Sequence, residues 1–486
     1  MEATPGGFLL VLMLVVPIAG FLIAFARGAS AAPRIAMALM PVGLAMALML
    51  LAGVVHAGAP IVTFVGGWAP PLGLALRADG LAAGMLLTTA LVIGAVALFA
   101  RPEYAAGGRA SCAFWCFLLA LWGALNAAFL GGDLFNLFVA LEMLTFAALA
   151  LACLDGRATQ FKAELRYLLF ALIGSVLYLL GTVLLYGAYG TLDLLLLSQA
   201  ARADAPTIVA AALMTVGLLA KMALFPLHLW LPAAHAGAPA AASALLSGLV
   251  VKASFVLLLR LWFEVMPGAL TVAVAPILAT LGAAAILFGS VVALRQARLK
   301  LLIAYSTVAQ IGYLFLMFPL VAGTAEEVAA RAWTGGALQA ISHAFAKAAM
   351  FLAAGVIARA LGHDRLAELN GAARVAPLSV LAFGLAGLSL MGIPPSGGFS
   401  AKWLLLQAAV EAGQWWWALV IVGGGLLTGG YIFRVLAGSL AGREVPVVAV
   451  APVHAVQERA ALGLAILSVA LGVMPLAAFG LMQIGR

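Results

Sequence analysis

Apolar residues fall in long, nearly continuous blocks separated by short polar connections. Fourteen blocks can be marked out, at 8–26, 35–56, 80–100, 111–130, 134–154, 164–188, 206–225, 239–262, 270–292, 299–319, 332–359, 376–410, 414–439 and 457–481. A helix crosses the hydrocarbon of a bilayer with about 20 residues. Each block therefore predicts one spanning helix, and the short connections make them zigzag as a single all-α polytopic bundle. The first block has no basic leader or cleavage site before it and reads as a retained span.

Two blocks contain breakers. The seventh holds Lys221-Met222-Ala223-Leu224-Phe225-Pro226-Leu227-His228; the twelfth holds Gly392-Ile393-Pro394-Pro395-Ser396-Gly397-Gly398-Phe399, then Lys402. Proline removes a backbone donor and clashes with the preceding turn. Freed backbone groups are tolerated in a membrane only when buried in protein or lining a wet cavity. The breaks at Pro226 and at Pro394 and Pro395 lie five blocks apart, which predicts two inverted five-helix repeats with a transport route at the breaks. The expected division is 1–110 (three leading helices), 111–262 (first repeat), 270–440 (second repeat) and 441–486 (last helix).

Composition sharpens this picture. Hydrophobic residues make up 66% of the 486 and charged residues 9%, against about 45–50% and about 25% in soluble domains. Mean hydropathy is +1.19. A water-soluble, disordered or nucleic-acid-binding protein is excluded. The net charge of +8 comes from arginine near block ends. Odd-numbered connections carry Arg27, Arg34, Arg101, Arg109, Arg157, Lys162, Arg166, Arg295, Arg298, Lys300, Arg359, Arg365, Arg374, Arg434, Arg443 and Arg459. Even-numbered ones carry only Arg77, Arg202, Arg260 and Arg331. The positive-inside rule then places the odd connections in the cytoplasm and both termini outside, in the periplasm of a bacterial inner membrane. Cys112, Cys116 and Cys153 lie in apolar runs without partner ligands and read as packing residues.

The candidate chemistry lies in charges where none should be. Of six lysines, Lys221, Lys252, Lys347 and Lys402 fall inside apolar blocks, as do Glu142 and His343. Five or six such groups would together cost more than ~12 kcal/mol unless they pair or line a hydrated route. Lys252 sits in mid-span, too deep to snorkel. Glu142 reads as the only acid deep inside a block, and a buried amine is its obvious partner. His343 and Lys347 stand four apart on one helix face, where two cations repel, so at most one is charged at a time. That is the behaviour a proton relay requires. One such residue could be simple glue between helices; six in one chain favour the relay. His228 and His235 flank the first break and read either as ordinary interfacial histidines or as sites of proton uptake or release. Asp79 and Asp133 stand at span starts, where helix capping is expected. The run Trp415-Trp416-Trp417 reads as an interfacial belt.

Several chemistries have no residues to support them. No histidine pair suits a haem, no cysteine set suits an iron–sulfur cluster, and no phosphate-binding loop appears. No cofactor or metal is expected, and no catalytic group of its own.

These motifs resemble a known family. Gly132 to Glu142, reading GDLFNLFVALE, resembles the fifth-helix signature of antiporter-like subunits. These occur in respiratory complex I, membrane-bound hydrogenases and Mrp-type cation/proton antiporters. Lys221 to Pro239, KMALFPLHLWLPAAHAGAP, resembles the family's broken seventh helix, and Ser243 to Lys252 its eighth. Leu299 to Tyr313 resembles the tenth, Ile341 to Gly355 the eleventh, and Met391 to Lys402 the broken twelfth. The LFNLFV run and the PPSGGF–Lys spacing look most like the D-type component of Mrp-type antiporters. The resemblance implies that Glu142 and Lys221 form a coupled acid–lysine pair. It further implies that Lys252 is the central lysine, His343 the eleventh-helix histidine, and Lys402 the last relay residue.

The expectation is a proton-translocating subunit moving protons along Glu142, Lys221, Lys252, His343, Lys347 and Lys402. Its partners would be other membrane subunits, protons, sodium or another monovalent cation, and lipid. Two alternatives stay open: a membrane-arm subunit of a complex I-like or hydrogenase-type oxidoreductase, or a non-transporting scaffold or component of another uptake system.

Overall fold

The computed structural model describes residues 3–105, 107–156, 158–442 and 449–486; Arg157 and Arg443 of the charge pattern lie outside them. The chain runs α1 (Phe8–Arg27), α2 (Ala32–Ala57), β1 (Ile61–Phe64), β2 (Ala75–Ala78), α3 (Gly80–Ala100), α4 (Arg109–Leu130), α5 (Leu134–Ala152), α6 (Ala158–Tyr189), α7 (Leu194–Ala200), α8 (Ala205–Lys221) and α9 (Trp230–Gly237). It continues with α10 (Ala240–Val265), α11 (Gly268–Leu294), α12 (Leu299–Phe315), α13 (Glu326–Leu361), α14 (Pro377–Met391), α15 (Gly397–Glu411), α16 (Trp415–Leu440) and α17 (Ala455–Ala470). Among the described residues eleven helices are long and apolar enough to cross a membrane. The seventh and twelfth blocks are each split into two shorter helices, α8 and α9, and α14 and α15.

Both breaks fall at the prolines. After Lys221 the backbone turns through Ala223, at φ 58°, and helix resumes at Trp230; after Met391 it turns at Gly392, at φ 84°, and resumes at Gly397. Aspartates open several helices as expected. Asp79 accepts from Ala82 N at 2.7 Å, and Asp133 from Phe135 N and Asn136 N at 2.9 Å, so each supplies an orphan amide of the first turn.

Small residues set the helix spacing. A Cβ on Gly217 of α8 would lie 2.4 Å from the Gly174 carbonyl oxygen of α6, and one on Gly312 of α12 would lie 2.3 Å from that of Gly282 on α11. Backbones approach this closely in lipid because dispersion, not water exclusion, holds helices together there. α10 is buried along its whole apolar window, and α12 and α13 along 89% of theirs, against 28% for α1 and α2 and 33% for α16. Two of these three central helices carry the mid-span lysines and histidine: Lys252 on α10, His343 and Lys347 on α13.

The structure corrects the sequence reading in three places. A two-stranded antiparallel hairpin, β1–β2, pairs Ile61 with Ala78 and Val62 with Arg77; strands of four residues leave no detectable period. The last block is not one helix, because α17 stops at Ala470 and a tight helical turn, Leu476–Gln483, follows Pro475. Arg260 and Arg331 lie within α10 and α13 rather than in connections. Arg260 is buried and bonded to the Phe129 carbonyl at 3.1 Å, to Glu264 at 3.2 Å and to Asp79 at 3.4 Å.

Two faces are nonetheless well defined. Thr4 bonds to Val62 of the hairpin, and Arg77 bonds to the Gly485 carbonyl. Both ends of the described chain thus meet the even-numbered connections on one side. On the other side, Tyr104, Asp155, Gly237, Arg298, Lys300 and His363, all from odd-numbered connections or their edges, line one polar cavity of about 390 Å³.

Candidate functional site

The first group forms where α5, α6 and α8 meet. Lys221 is the last residue of α8, next to the break and at the negative end of the helix dipole. Its Nζ donates to Glu142 Oε1 of α5 at 3.0 Å and to Thr145 Oγ1, one turn further along α5, at 3.0 Å. Ser175 of α6 donates to the same Glu142 oxygen. Lys221 is buried, while 18% of the Glu142 side chain is exposed, so Glu142 is less secluded than its sequence setting suggests.

Lys252 lies in the middle of α10, wholly buried. The turn before it, Leu246–Val250, is a wide π-helical turn, a local feature that disturbs the regular carbonyl pairing. Lys252 Nζ donates to the Ser247 carbonyl at 2.5 Å. Ser247 Oγ in turn meets Thr307 Oγ1 of α12 at 2.9 Å, and Thr307 donates to the Ile303 carbonyl at 3.0 Å. That carbonyl also accepts from Lys347 Nζ of α13 at 2.9 Å, and Lys347 bonds to Ser306 Oγ as well. Lys252 and Lys347 are therefore joined through two hydroxyls and two carbonyls.

One face of α13 continues the route. Gln339, His343 and Lys347 recur every four residues and are all buried. His343 lies within electrostatic reach of Lys252, Lys347 and Lys402, and neither ring nitrogen has a hydrogen-bond partner among the described residues. Gln339 Nε2 donates to Gln310 Oε1 of α12 at 3.2 Å, and Gln310 Nε2 donates to the Leu390 carbonyl at 3.2 Å. Leu390 stands in the last turn of α14, where carbonyls lack helical partners. Lys402 Nζ of α15 donates to the same carbonyl at 2.5 Å and sits 4.0 Å from the Tyr313 ring centroid. A cavity of about 320 Å³ opens beside it, lined by Gly392, Phe399, Lys402 and Trp403.

The histidines at the first break are both buried in the protein. His228 packs against Phe225 and Phe288 with ring centroids 5.5 and 5.0 Å away. His235 stacks on Phe351 at 4.5 Å, and neither of its nitrogens has a partner among the described residues. His235 is within electrostatic reach of Lys347, Lys300 and Lys252, and the next two residues, Ala236 and Gly237, line the polar cavity.

Every lysine singled out from sequence thus points into the bundle. Between Lys221 and Lys252 no direct hydrogen bond occurs among the described residues. The partners that sequence reasoning missed are Thr145, Ser175, Ser247, Ser306, Thr307, Gln310 and Gln339. Only Gln339 carried a usable signal, standing one turn before His343.

With this geometry in view, comparison with known proteins is decisive. The profile of the family described as NADH:quinone oxidoreductase/Mrp antiporter, TM, matches residues 131–428. The chain belongs to this family. The matched segment runs from the start of α5 into α16 and contains all six ionisable residues. The N subunit of the NADH-quinone oxidoreductase of Desulforudis audaxviator is 38% identical over 402 residues, covering 81% of this chain and 78% of that protein. The D subunit of the Na(+)/H(+) antiporter of Alkalihalophilus pseudofirmus is 32% identical over 411 residues, covering 82% and 80%. A chain of the Mrp complex from Dietzia sp. DQ12-45-1b superimposes with a TM-score of 0.90 at 27% identity, covering 99% of this chain and 96% of that one. The protein is an integral membrane protein of the antiporter-subunit type, and its structural neighbours come from multisubunit membrane complexes.

Proposed function

We propose that the protein is a proton-translocating subunit of a multisubunit membrane complex, similar to the D-type component of Mrp-type Na(+)/H(+) antiporters. The observation that carries this reading is the Lys221–Glu142 contact of 3.0 Å, at the head of a row of buried lysines linked through hydroxyls, amides and backbone carbonyls that accept from them. Protons move along Lys221, Lys252, His343 or Lys347, and Lys402, with waters bridging the longer gaps. The Glu142–Lys221 pair is the switch. While closed it holds Lys221 charged. On opening, the lysine loses about 4 kcal/mol of stabilisation at an effective dielectric near 20, and its proton moves on. His228 and His235 serve uptake or release, and the breaks at Pro226, Pro394 and Pro395 admit water.

The same reading makes residues 111–262 and 270–440 two inverted repeats, each with one broken helix, flanked by residues 1–110 and 441–486. It places the polar cavity in the cytoplasm and both termini in the periplasm of a bacterial inner membrane, because the odd connections carry most of the arginine. The exchanged ion is sodium or another monovalent cation.

A second reading is favoured by the 38% identity to a quinone oxidoreductase subunit: the protein pumps protons in the membrane arm of a redox complex. A non-transporting scaffold is the third. Purification of the native complex into proteoliposomes, with proton and sodium indicators inside, separates them. Sodium-driven proton movement supports the antiporter; proton movement only with a reductant and quinone supports the second reading; no flux under either condition supports the scaffold.

A further inference from the structure

Glu164 is unused by this mechanism. It lies in the first turns of α6, is 1% exposed, and neither carboxyl oxygen has a hydrogen-bond partner among the described residues. An unpaired buried carboxyl is expensive to keep.

Its neighbours form a line. On α6, Glu164, Tyr167, Ala171 and Ser175 fall on one face by their spacing, over roughly 16 Å of helix at 1.5 Å per residue. At the far end Ser175 bonds to Glu142. In between, Tyr167 stacks on Trp230 of α9 with centroids 4.3 Å apart and sits against Thr145. Thr145 is the hydroxyl that accepts from Lys221 at 3.0 Å. At the near end, Gln160 donates to the Ala152 carbonyl and leaves its Oε1 unpaired among the described residues. A Cβ on Gly237 would lie 3.4 Å from Gln160 Cγ, and Gly237 is part of the wall of the polar cavity. Gln160 thus packs behind the cavity wall at Gly237, and Glu164 stands between it and the Tyr167–Thr145–Lys221 group.

We propose that Glu164 is the proton-uptake group of the Glu142–Lys221 pair, loaded from the cavity bounded by Asp155, Gly237 and Lys300. The step balances as a proton hop. Thr145 donates to the Leu141 carbonyl at 2.8 Å while it accepts from charged Lys221. Once Lys221 is neutral, its proton having moved on, the hydroxyl turns to it and gives up its proton. Thr145 is refilled from Tyr167 in the same concerted shift, and a water relays the Glu164 proton to Tyr167, because neither carboxyl oxygen bonds directly to a described residue. Glu164 is then a carboxylate until a water in the cavity reprotonates it. This role rests on reading Glu142–Lys221 as the switch.

The test uses the complete complex in proteoliposomes, with Glu164→Gln, Glu164→Asp, Tyr167→Phe and Lys221→Ala measured side by side for proton flux. Glu164→Gln removes only the titratable proton and Tyr167→Phe only a hydroxyl, so neither disturbs shape. Both are expected to cut flux by about a hundredfold or more, the order that a positioned acid contributes. Glu164→Asp should restore part of it. Infrared difference spectra should lose a protonated-carboxyl band in Glu164→Gln, which a merely structural role would not cause. Wild-type flux in Glu164→Gln and Tyr167→Phe beside a dead Lys221→Ala overturns the uptake role alone. Wild-type flux in Lys221→Ala overturns the switch beneath it.

Discussion

Lys221 and Glu142, seventy-nine residues apart in sequence, meet at 3.0 Å with the lysine buried and the carboxylate partly open. Their unequal burial matters. Glu142 lies at the outer edge of the bundle beside the exposed Val139, Met143 and Phe146, so a small movement of α5 opens the pair from that side. Alanine at either position should abolish coupled transport while the complex still assembles. It should also lower the stability of the protein by about 3–5 kcal/mol, because the partner is left as an unpaired charge. Flux assays and thermal unfolding of the purified complex check both outcomes.

Gln310 joins the two halves of the site. It receives Gln339 at 3.2 Å and donates to the Leu390 carbonyl that also holds Lys402. Gln310→Leu keeps the shape and removes the link. Leaving the Gln339 amide unpaired costs about 1–3 kcal/mol. Proton flux should fall several-fold with all four lysines intact. Undiminished flux in reconstituted vesicles would show that protons bypass Gln310.

Helix spacing holds the switch in place. A side chain at Gly217 would drive into the Gly174 carbonyl, and one at Gly174 would come within 3.2 Å of Lys221 Cγ. Gly217→Val should therefore separate α6 from α8, widen the Lys221–Glu142 contact and reduce both stability and transport, by about 1–3 kcal/mol in stability. Gly94, with open space around its Cβ position, serves as the control: Gly94→Ala should change neither. Cross-linking yield between cysteines placed on α6 and α8 reports the separation.

Arg260 tests structure apart from transport. It ties α10 to the Phe129 carbonyl, to Glu264 and to Asp79, the residue that caps α3. Arg260→Ala leaves Glu264 and Asp79 to Arg77, which lies 2.9 Å and 3.9 Å from them, but strands the Phe129 carbonyl, and should destabilise the protein by about 1–3 kcal/mol. The complex that does assemble should carry protons at the normal rate per molecule, since Arg260 is outside the lysine row. Flux normalised to assembled protein checks this.

Much of this site is legible in the chain because charge in hydrocarbon has no cheap explanation. Lys252 and Lys402 stand out from their own neighbourhoods, and Pro226 and Pro394 mark the breaks. Their partners are hidden for a physical reason. Lys252, Lys347 and Lys402 are held by backbone carbonyls of Ser247, Ile303 and Leu390, and a carbonyl is present in every residue. Glu164 escapes notice because Lys162 and Arg166 beside it mark a membrane edge, yet its helix face turns inward. The hairpin is invisible because Ile61–Phe64 is too short to show alternation. Arg260 is misplaced because a paired arginine inside a helix looks, in sequence, like one in a loop.

Lys252 gives the most direct test of the claim that protons pass between buried side chains. Lys252→Met retains an unbranched chain and removes only the titratable amine, so the buried α10 should remain packed. In proteoliposomes containing the assembled complex, the account predicts that proton flux through this protein disappears while assembly is unchanged. Flux at the wild-type rate in Lys252→Met would contradict it.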